Sequence, residues 1–135
     1  MASTTFYNSA SQCFLGGLNL ESSTIQVAMV GGGYTFDAAH TASDVTDEVA
    51  SRKSLTSKSV VADPNDPSKA VFFCDNIEWL GLSATFSGFI VIASGTFGGI
   101  SNPLIAYIDA GDTFTIENES LKIVVPLTGW ITATV

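Results

Sequence analysis

A chain of 135 residues has the size of one domain and is long enough to bury its own hydrophobic core. Its net charge of −8, from 5 Lys and Arg against 13 Asp and Glu, argues against binding to nucleic acid or anionic membranes, which needs clustered cations. Hydrophobic residues make up 46% and charged residues only 13%, which is the opposite of a disordered composition and indicates that a partner covers part of the surface.

Strand patterns dominate the chain, and turn signals separate them at roughly ten-residue intervals. Over residues 24–30 apolar positions alternate, so one face of a strand is expected to carry Ile25, Val27 and Met29. Further predicted strands cover residues 71–74, 86–93, 104–109, 113–116, 121–125 and 130–135. The spacing predicts an all-β fold with one domain over residues 1–135, an antiparallel β-sandwich or barrel with one or two short helices.

The connections between these strands are predicted from Gly, Pro and Asx residues. Residues 94–103 are rich in Gly and Ser and are expected to close a long-looped hairpin. Turns are expected at residues 109–112 and 117–119, and a loop at residues 63–67, because these residue types favour turn backbone. Pro126 is expected to end its strand or to lie on an edge, since it cannot donate to a ladder.

Two segments carry helix signals. Residues 8–15 are predicted as a short helix, capped by Asn8 or Ser9 and ended by two glycines. Residues 41–52 fit either a second helix capped by Ser43 or an acidic loop, and the pattern leaves both open.

Residues capable of chemistry are few. Cys13 and Cys74 are the only cysteines and are expected to be free thiols of a reducing cytoplasm, because no secretion signal is recognised at the start of the chain. His40 is the only histidine; a catalytic set with Cys13 and Asp37 rests on residue types alone, so a loop or capping role is preferred. One His and two distant Cys do not form a zinc pattern.

Acidic and glycine-rich segments also lack a recognised site. Residues 63–66 and 109–112 carry carboxylates but not the calcium-loop signature, so both are interpreted as turns. The glycines at 31–33 and 95–99 lack the Lys and the helix of a phosphate loop. The acceptor pattern Asn118-Glu119-Ser120 has no consequence without export. We therefore expect no enzyme and no catalytic, cofactor-binding or metal-binding residue, and no apolar run approaches a membrane span of about 20 residues.

The two tryptophans have polar neighbours and admit two interpretations. Trp79 and Trp130 are expected in the core or in a subunit interface. The alternative is an exposed platform for a ligand, which would make the chain a carbohydrate-binding module.

The order of several segments resembles a known family. Two segments are the most specific, Tyr34-Thr35-Phe36-Asp37 with His40, and Pro103-Leu104-Ile105-Ala106-Tyr107-Ile108-Asp109. Less specific matches are Tyr7–Ala10, Gly17–Leu20, Thr24–Val30 and Asp75–Trp79. In these segments the chain resembles small structural proteins of tailed bacteriophages, described as head-decoration, cement or head-fibre proteins.

This resemblance implies a function through contact. Such proteins are β-rich, commonly homotrimeric, and bind the outside of the capsid shell, where they add contacts between major capsid subunits. The resemblance thus implies a virion location after assembly in a host cytoplasm, with the major capsid protein as partner and no catalytic residue. A neck, tail or fibre-base component of the virion is the alternative within the same particle.

Overall fold

Ten β-strands and one α-helix make up the fold in the computed structural model, which describes residues 3–125 and 131–134. The helix α1 spans Ser9–Leu15. The strands are β1 (Ser3–Phe6), β2 (Ile25–Val30), β3 (Lys53–Ser54), β4 (Ser59–Asp63), β5 (Asp66–Phe73), β6 (Ile77–Ala93), β7 (Thr96–Phe97), β8 (Ile100–Ser101), β9 (Leu104–Ile123) and β10 (Ile131–Thr134). The pairing is antiparallel throughout the described strands, which confirms the all-β prediction.

The strands form two main sheets. One sheet has five strands in the order β1-β9-β6-β2-β3, and the other has three in the order β10-β5-β4. The strands β7 and β8 pair only with each other. Residues 94–103 therefore do close the hairpin of β6 and β9, as predicted, but they contain a small hairpin of their own.

The core lies on both faces of the five-stranded sheet, because its central strands are buried on both sides. On β2, Ile25, Val27 and Met29 face one apolar cluster, as the alternation predicted, while Ala28 and Val30 face a second. We call these the first and second clusters. Phe72 of β5 and the helix residues Ala10 and Cys13 complete the first cluster. Tyr7, Tyr34 and Tyr107 close the second.

The strands β6 and β9 form a ribbon that continues past the sheet and contains several bulges. Residues 109–112 and 117–119, predicted as turns, lie inside β9, so those predictions are wrong about where the chain reverses. The local turn chemistry is nevertheless present. Gly111 and Asn118 have positive φ, 88° and 49°, and the register between β6 and β9 shifts at both places. The turn signals therefore mark bulges in a continuous strand.

The predicted loop at residues 63–67 is shorter in the structure. Only Pro64 and Asn65 lie between β4 and β5, and Pro67 belongs to β5. The register shifts there, so that Asp63 pairs with Asp66 whereas Ala62 pairs with Ala70. A proline is tolerated at this point because a bulge releases it from the ladder.

The helix prediction for residues 8–15 is confirmed by α1, although the side chain of Asn8 forms no capping hydrogen bond. Along residues 41–52 the acidic-loop alternative is correct. A single 3-10 turn, Ala42–Asp44, forms there, and its cap is Thr41 rather than Ser43.

Asp47 explains why the helix does not continue. Its φ is +53°, outside the helical range, and its carboxylate Oδ2 accepts a hydrogen bond of 2.8 Å from the backbone N–H of Gly33. Its carbonyl accepts another, of 3.0 Å, from Gly31. These bonds hold the segment in an extended path beside the end of β2.

The last predicted strand is present in part. Strand β10 pairs with β5, with Ile131 opposite Phe72 and Thr134 opposite Lys69. Pro126, Trp130 and Val135 lie outside the described residues, so the predictions for them stay predictions.

Candidate functional site

The structure separates Cys13 from the other two residues of the hypothetical catalytic set, Asp37 and His40, which share one turn. Cys13 is buried in the first cluster on α1, while His40 lies in the loop that covers the second cluster. The carboxylate of Asp37 accepts the backbone N–H of Ala39 at 2.9 Å, so it closes a local turn. A loop role for His40 is the interpretation that agrees with this arrangement.

His40 instead ends a chain of hydrogen bonds that enters the second cluster. Its Nδ1 lies 3.0 Å from the hydroxyl of Tyr34, and that hydroxyl lies 2.7 Å from the hydroxyl of Tyr7. Burial raises the pKa of Tyr7, and its hydrogen bond to Tyr34 raises it further. Burial also raises the pKa of Tyr34, while the bond from Tyr7 lowers it. Both pKa directions are those expected when Tyr7 donates to Tyr34, which leaves the hydrogen of Tyr34 for Nδ1 of His40 in the tautomer with its proton on Nε2.

The two thiols are separated and poorly reactive. Cys13 is buried, Cys74 is half-buried beside the first cluster, and the two are not joined. Burial raises the pKa of Cys74 to about 11, with a further contribution from Asp75. Burial alone raises the pKa of Cys13. Because the thiolate is the nucleophile, neither residue is activated for covalent chemistry.

The carboxylates of the acidic segments bind nearby groups of their own segment, at the turn between β4 and β5 and, for residues 109–112, in a bulge of β9 rather than in the predicted turn. Asp63 Oδ1 accepts the backbone N–H of Asn65 at 2.8 Å, and Asp109 Oδ1 accepts that of Gly111 at 2.8 Å. Asp66 Oδ1 accepts the Ser68 hydroxyl at 2.6 Å. Within the described residues, no group of three His, Cys, Asp or Glu side chains is placed to hold a metal ion.

The glycine segments serve backbone geometry. The backbone N–H of Gly33 donates to the carboxylate of Asp47. This N–H of the segment at residues 31–33 is therefore already bonded to an anionic group of the chain itself. Gly98 and Gly99, with φ of 58° and 81°, form the two-residue turn between β7 and β8. Positive φ at both positions is what a tight hairpin of this length requires.

Trp79 is a core residue. Its side chain is 3% exposed, and its Nε1 donates a hydrogen bond of 2.8 Å to the carbonyl of Ser51. This confirms the core interpretation for Trp79 and removes it as an exposed ligand platform.

An exposed apolar groove lies beside the first cluster. It has a volume of about 200 Å³, and all its lining side chains are apolar. They come from β1, α1 and the segment after it, β4 and β5, and are Phe6, Phe14, Leu20, Val60, Ala70, Val71 and Phe72. We call this the apolar groove.

The apolar groove adjoins two sheet edges. Strand β1 is an edge of the five-stranded sheet, and β4 is an edge of the three-stranded sheet. On β4, Val60 and Val61 are 39% and 46% exposed, so an apolar edge borders an apolar depression. One backbone N–H on the edge of β4, that of Val60, is already bonded: it donates to Oε1 of Glu21 at 2.8 Å.

Few local patterns in the sequence point to this groove. Its residues are spread over five segments, and neither β1 nor β4 was predicted. The pair Val60-Val61 is the one local signal, because adjacent β-branched residues favour a strand.

Comparison with protein-family models, with curated proteins and with solved structures finds no match to the chain. Among the described residues no helix has the length and hydrophobicity needed to cross a membrane.

Proposed function

We propose that the chain is a capsid decoration protein of a tailed bacteriophage, a non-enzymatic virion protein that binds the assembled head and stabilises it. The observation that carries the proposal is the apolar groove with its exposed edge strand β4. Exposed apolar surface of this kind is characteristic of sites that a protein partner covers.

The two segments that carry the family resemblance support the proposal by their position. The ring of Tyr107 lies 5.3 Å from that of Phe36 and 5.9 Å from that of Tyr34, measured between centroids. Tyr34 and Phe36 belong to one segment and Tyr107 to the other. These aromatic residues of the two segments thus form one packed unit.

We assign the apolar groove to a segment of the shell subunit. An extended segment laid along β4 would extend the three-stranded sheet through backbone hydrogen bonds, and its apolar side chains would fill the groove. The groove lining contains no charged side chain, although a segment laid along β4 would displace the Glu21 carboxylate from the N–H of Val60.

The stabilisation follows from mass action. A protein that binds the assembled shell and not its free subunits lowers the free energy of the assembled state. A homotrimer with three such grooves would bind neighbouring subunits together, and the avidity would exceed the affinity of any single contact.

The test uses purified virions of the phage that encodes the chain. We expect cryo-electron microscopy to show density for this fold on the head surface, in many symmetry-related copies, with the groove against the shell. A few copies at one vertex would indicate the neck or tail role instead. Absence of the chain from purified particles would reject both.

A pair of variants tests the groove itself. Val60→Lys places a charge in the groove, and we expect it to abolish co-sedimentation with heads that lack the protein. Leu80→Lys makes a similar change at a residue that is 74% exposed on the ribbon, and should leave binding unchanged. Equal binding of both variants would show that the groove is not the contact surface.

A further inference from the structure

The apolar groove continues past Val60 into a second depression that contains a charged residue. This depression has a volume of about 420 Å³ and shares Phe14, Leu20 and Val60 with the groove. Its other lining residues are Leu18, Asn19 and Glu21. Among the described residues that line either depression, Glu21 alone carries a charge. The groove and its extension are therefore an apolar surface with a single carboxylate.

A turn after α1 holds this carboxylate against the edge strand β4. The side chain of Asn19 accepts the backbone N–H of Glu21 at 2.9 Å, and the carbonyl of Asn19 accepts that of Ser23 at 2.9 Å. The Nζ of Lys58, the residue before β4, donates to the carbonyl of Ser23. The turn is thus fixed at both ends, and Oε1 of Glu21 accepts the N–H of Val60 at 2.8 Å.

The hydrogen bond from Val60 occupies one of the few positions at which β4 can pair with another strand. In an antiparallel ladder the residues of an edge strand direct their N–H and C=O groups alternately to the neighbouring strand and outward. Because the N–H of Val60 donates to Glu21, the outward positions of β4 are Val60 and Ala62. A strand that adds to this edge needs the N–H of Val60 for its own carbonyl, so it must displace the carboxylate.

We propose that Glu21 is a displaceable cap on the edge of β4, and that the strand which displaces it carries a Lys or Arg side chain beside the freed carboxylate. The inference rests on the proposed function for the place of docking and adds the chemistry of the docked segment. A carbonyl of the entering strand replaces the carboxylate at Val60, and its cation compensates Glu21 for the lost hydrogen bond. Apolar side chains of the same strand fill the groove.

A second copy of this chain fits the capped edge poorly. When two β4 strands pair antiparallel about a two-fold axis at Val61, Val60 of one copy lies opposite Ala62 of the other. The displaced Glu21 then lies near Asp63 of the second copy, the residue after Ala62, and not near a cation. Charged groups at sheet edges oppose edge-to-edge aggregation in this way. The cap therefore favours a basic segment over another copy.

The experiment is a titration of the isotope-labelled protein with three synthetic peptides, followed by two-dimensional NMR. Each peptide has eight residues that alternate valine and threonine, with lysine, glutamine or glutamate in place of one central valine. We expect the lysine peptide to shift the amide resonances of residues 20–22 and 59–62. At low ionic strength it should bind about threefold more tightly than the glutamine peptide, and the glutamate peptide should bind most weakly.

Variants of Glu21 separate its charge from its hydrogen bond. Glu21→Gln keeps an oxygen that can accept the N–H of Val60 and removes only the charge, so the preference for the lysine peptide should disappear. Glu117→Gln is the matched control, because it removes the same charge from an exposed residue of the ribbon outside the groove, and it should keep the preference. Glu21→Ala removes the cap itself, so it should bind the glutamine peptide about fivefold more tightly than Glu21→Gln does.

Three results would overturn the proposal. One is that no peptide binds. Another is that the lysine and glutamine peptides bind the unaltered protein equally. The third is that the preference for lysine persists in Glu21→Gln, which would assign it to the overall charge of the protein. The virion role is tested separately, since particles that lack the chain would reject that role and leave the peptide preference unchanged.

Discussion

The indole of Trp79 stacks on the ring of Phe89, with centroids 6.0 Å apart and an interplanar angle of 27°, although both residues belong to β6 and stand ten positions apart. Ten residues of regular strand span about 33 Å. The strand must therefore bend sharply between them, and it does so where Gly81 has a φ of +57° and the register with β9 shifts. The bulges allow the ribbon to cover the first cluster with its own side chains.

This stacking predicts that Trp79 is a major determinant of stability. Trp79→Ala should lower the free energy of unfolding by about 3–5 kcal/mol, because it leaves a cavity in the first cluster. Phe114→Ala is the control, since Phe114 is 46% exposed at the end of the same aromatic row and should cost about 1 kcal/mol. Urea denaturation followed by circular dichroism measures both. Equal losses for the two variants would contradict the role of Trp79.

The sequence predicted the fold class and the central strands because their apolar periodicity is local. Apolar residues alternate over residues 24–30 and run without interruption over residues 89–93, and the structure places strands there. The bulges were predicted as turns, since Asp109-Ala110-Gly111-Asp112 contains the residues of a turn and its Asx hydrogen bond does form. Whether such a segment reverses the chain or only bends a strand depends on the partner strand, which no local pattern specifies.

The candidate surfaces were less predictable than the fold. Tyr107 lies in a predicted strand and is buried, but the stacking of its ring on Phe36 depends on packing between segments far apart in the sequence. The apolar groove forms where side chains of β1, β4 and α1 come together. Its residues meet only through long-range pairing, so no window of sequence contains the groove.

The hydrogen-bonded chain from Tyr7 through Tyr34 to His40 predicts an order among three variants. Tyr34→Phe should cost about 1–3 kcal/mol, because it leaves the buried hydroxyl of Tyr7 without an acceptor. Tyr7→Phe should cost about 1 kcal/mol, because Tyr34 can still donate to His40.

The double variant, Tyr7→Phe with Tyr34→Phe, should be less destabilised than the sum of the two, since the orphaned hydroxyl is gone. Thermal unfolding of the four proteins at pH 7 gives the coupling directly. Additive losses would show that the two hydroxyls do not act as a chain.

The half-buried thiol of Cys74 predicts that the fold loses stability at alkaline pH. Its pKa rises from an ordinary value of 9.0 to about 11 on folding, so the folded state holds the thiol proton more tightly than the unfolded state does. This contribution to stability is complete below pH 9 and is lost as the pH rises towards 11. Burial also raises the pKa of Tyr7 and of Tyr34, so these groups act on stability in the same direction as Cys74.

Two measurements check the behaviour of this thiol. The urea midpoint should stay constant from pH 7 to 8.5 and fall above pH 9, and Cys74→Ala should make that fall shallower. Labelling with a disulfide reagent at pH 8 should be about a hundredfold slower than for a free thiol, because two units of pKa reduce the thiolate fraction by that factor. Labelling at the rate of a free thiol would show that Cys74 is exposed and unshifted.

The close approach of Gly88 to the side chain of Tyr107 predicts that a larger residue at position 88 destabilises the fold. A Cβ at position 88 would collide with the hydroxyl of Tyr107 and would lie 2.8 Å from its Cε2. Gly88→Ala should therefore lower the free energy of unfolding by about 1–3 kcal/mol, because β6 pairs with β9 here and cannot move aside. Gly32→Ala is the control, since nothing lies within 4 Å of the added methyl group.

Tyr107→Phe in the Gly88→Ala background tests the cause of that loss. The change removes the hydroxyl but keeps the ring, so it should restore part of the stability and not all of it. The restoration should be partial because the added Cβ would also crowd the Cζ and Cε2 atoms of the ring. A Gly88→Ala protein as stable as its parent, measured by calorimetry, would show that Tyr107 does not rest against this glycine.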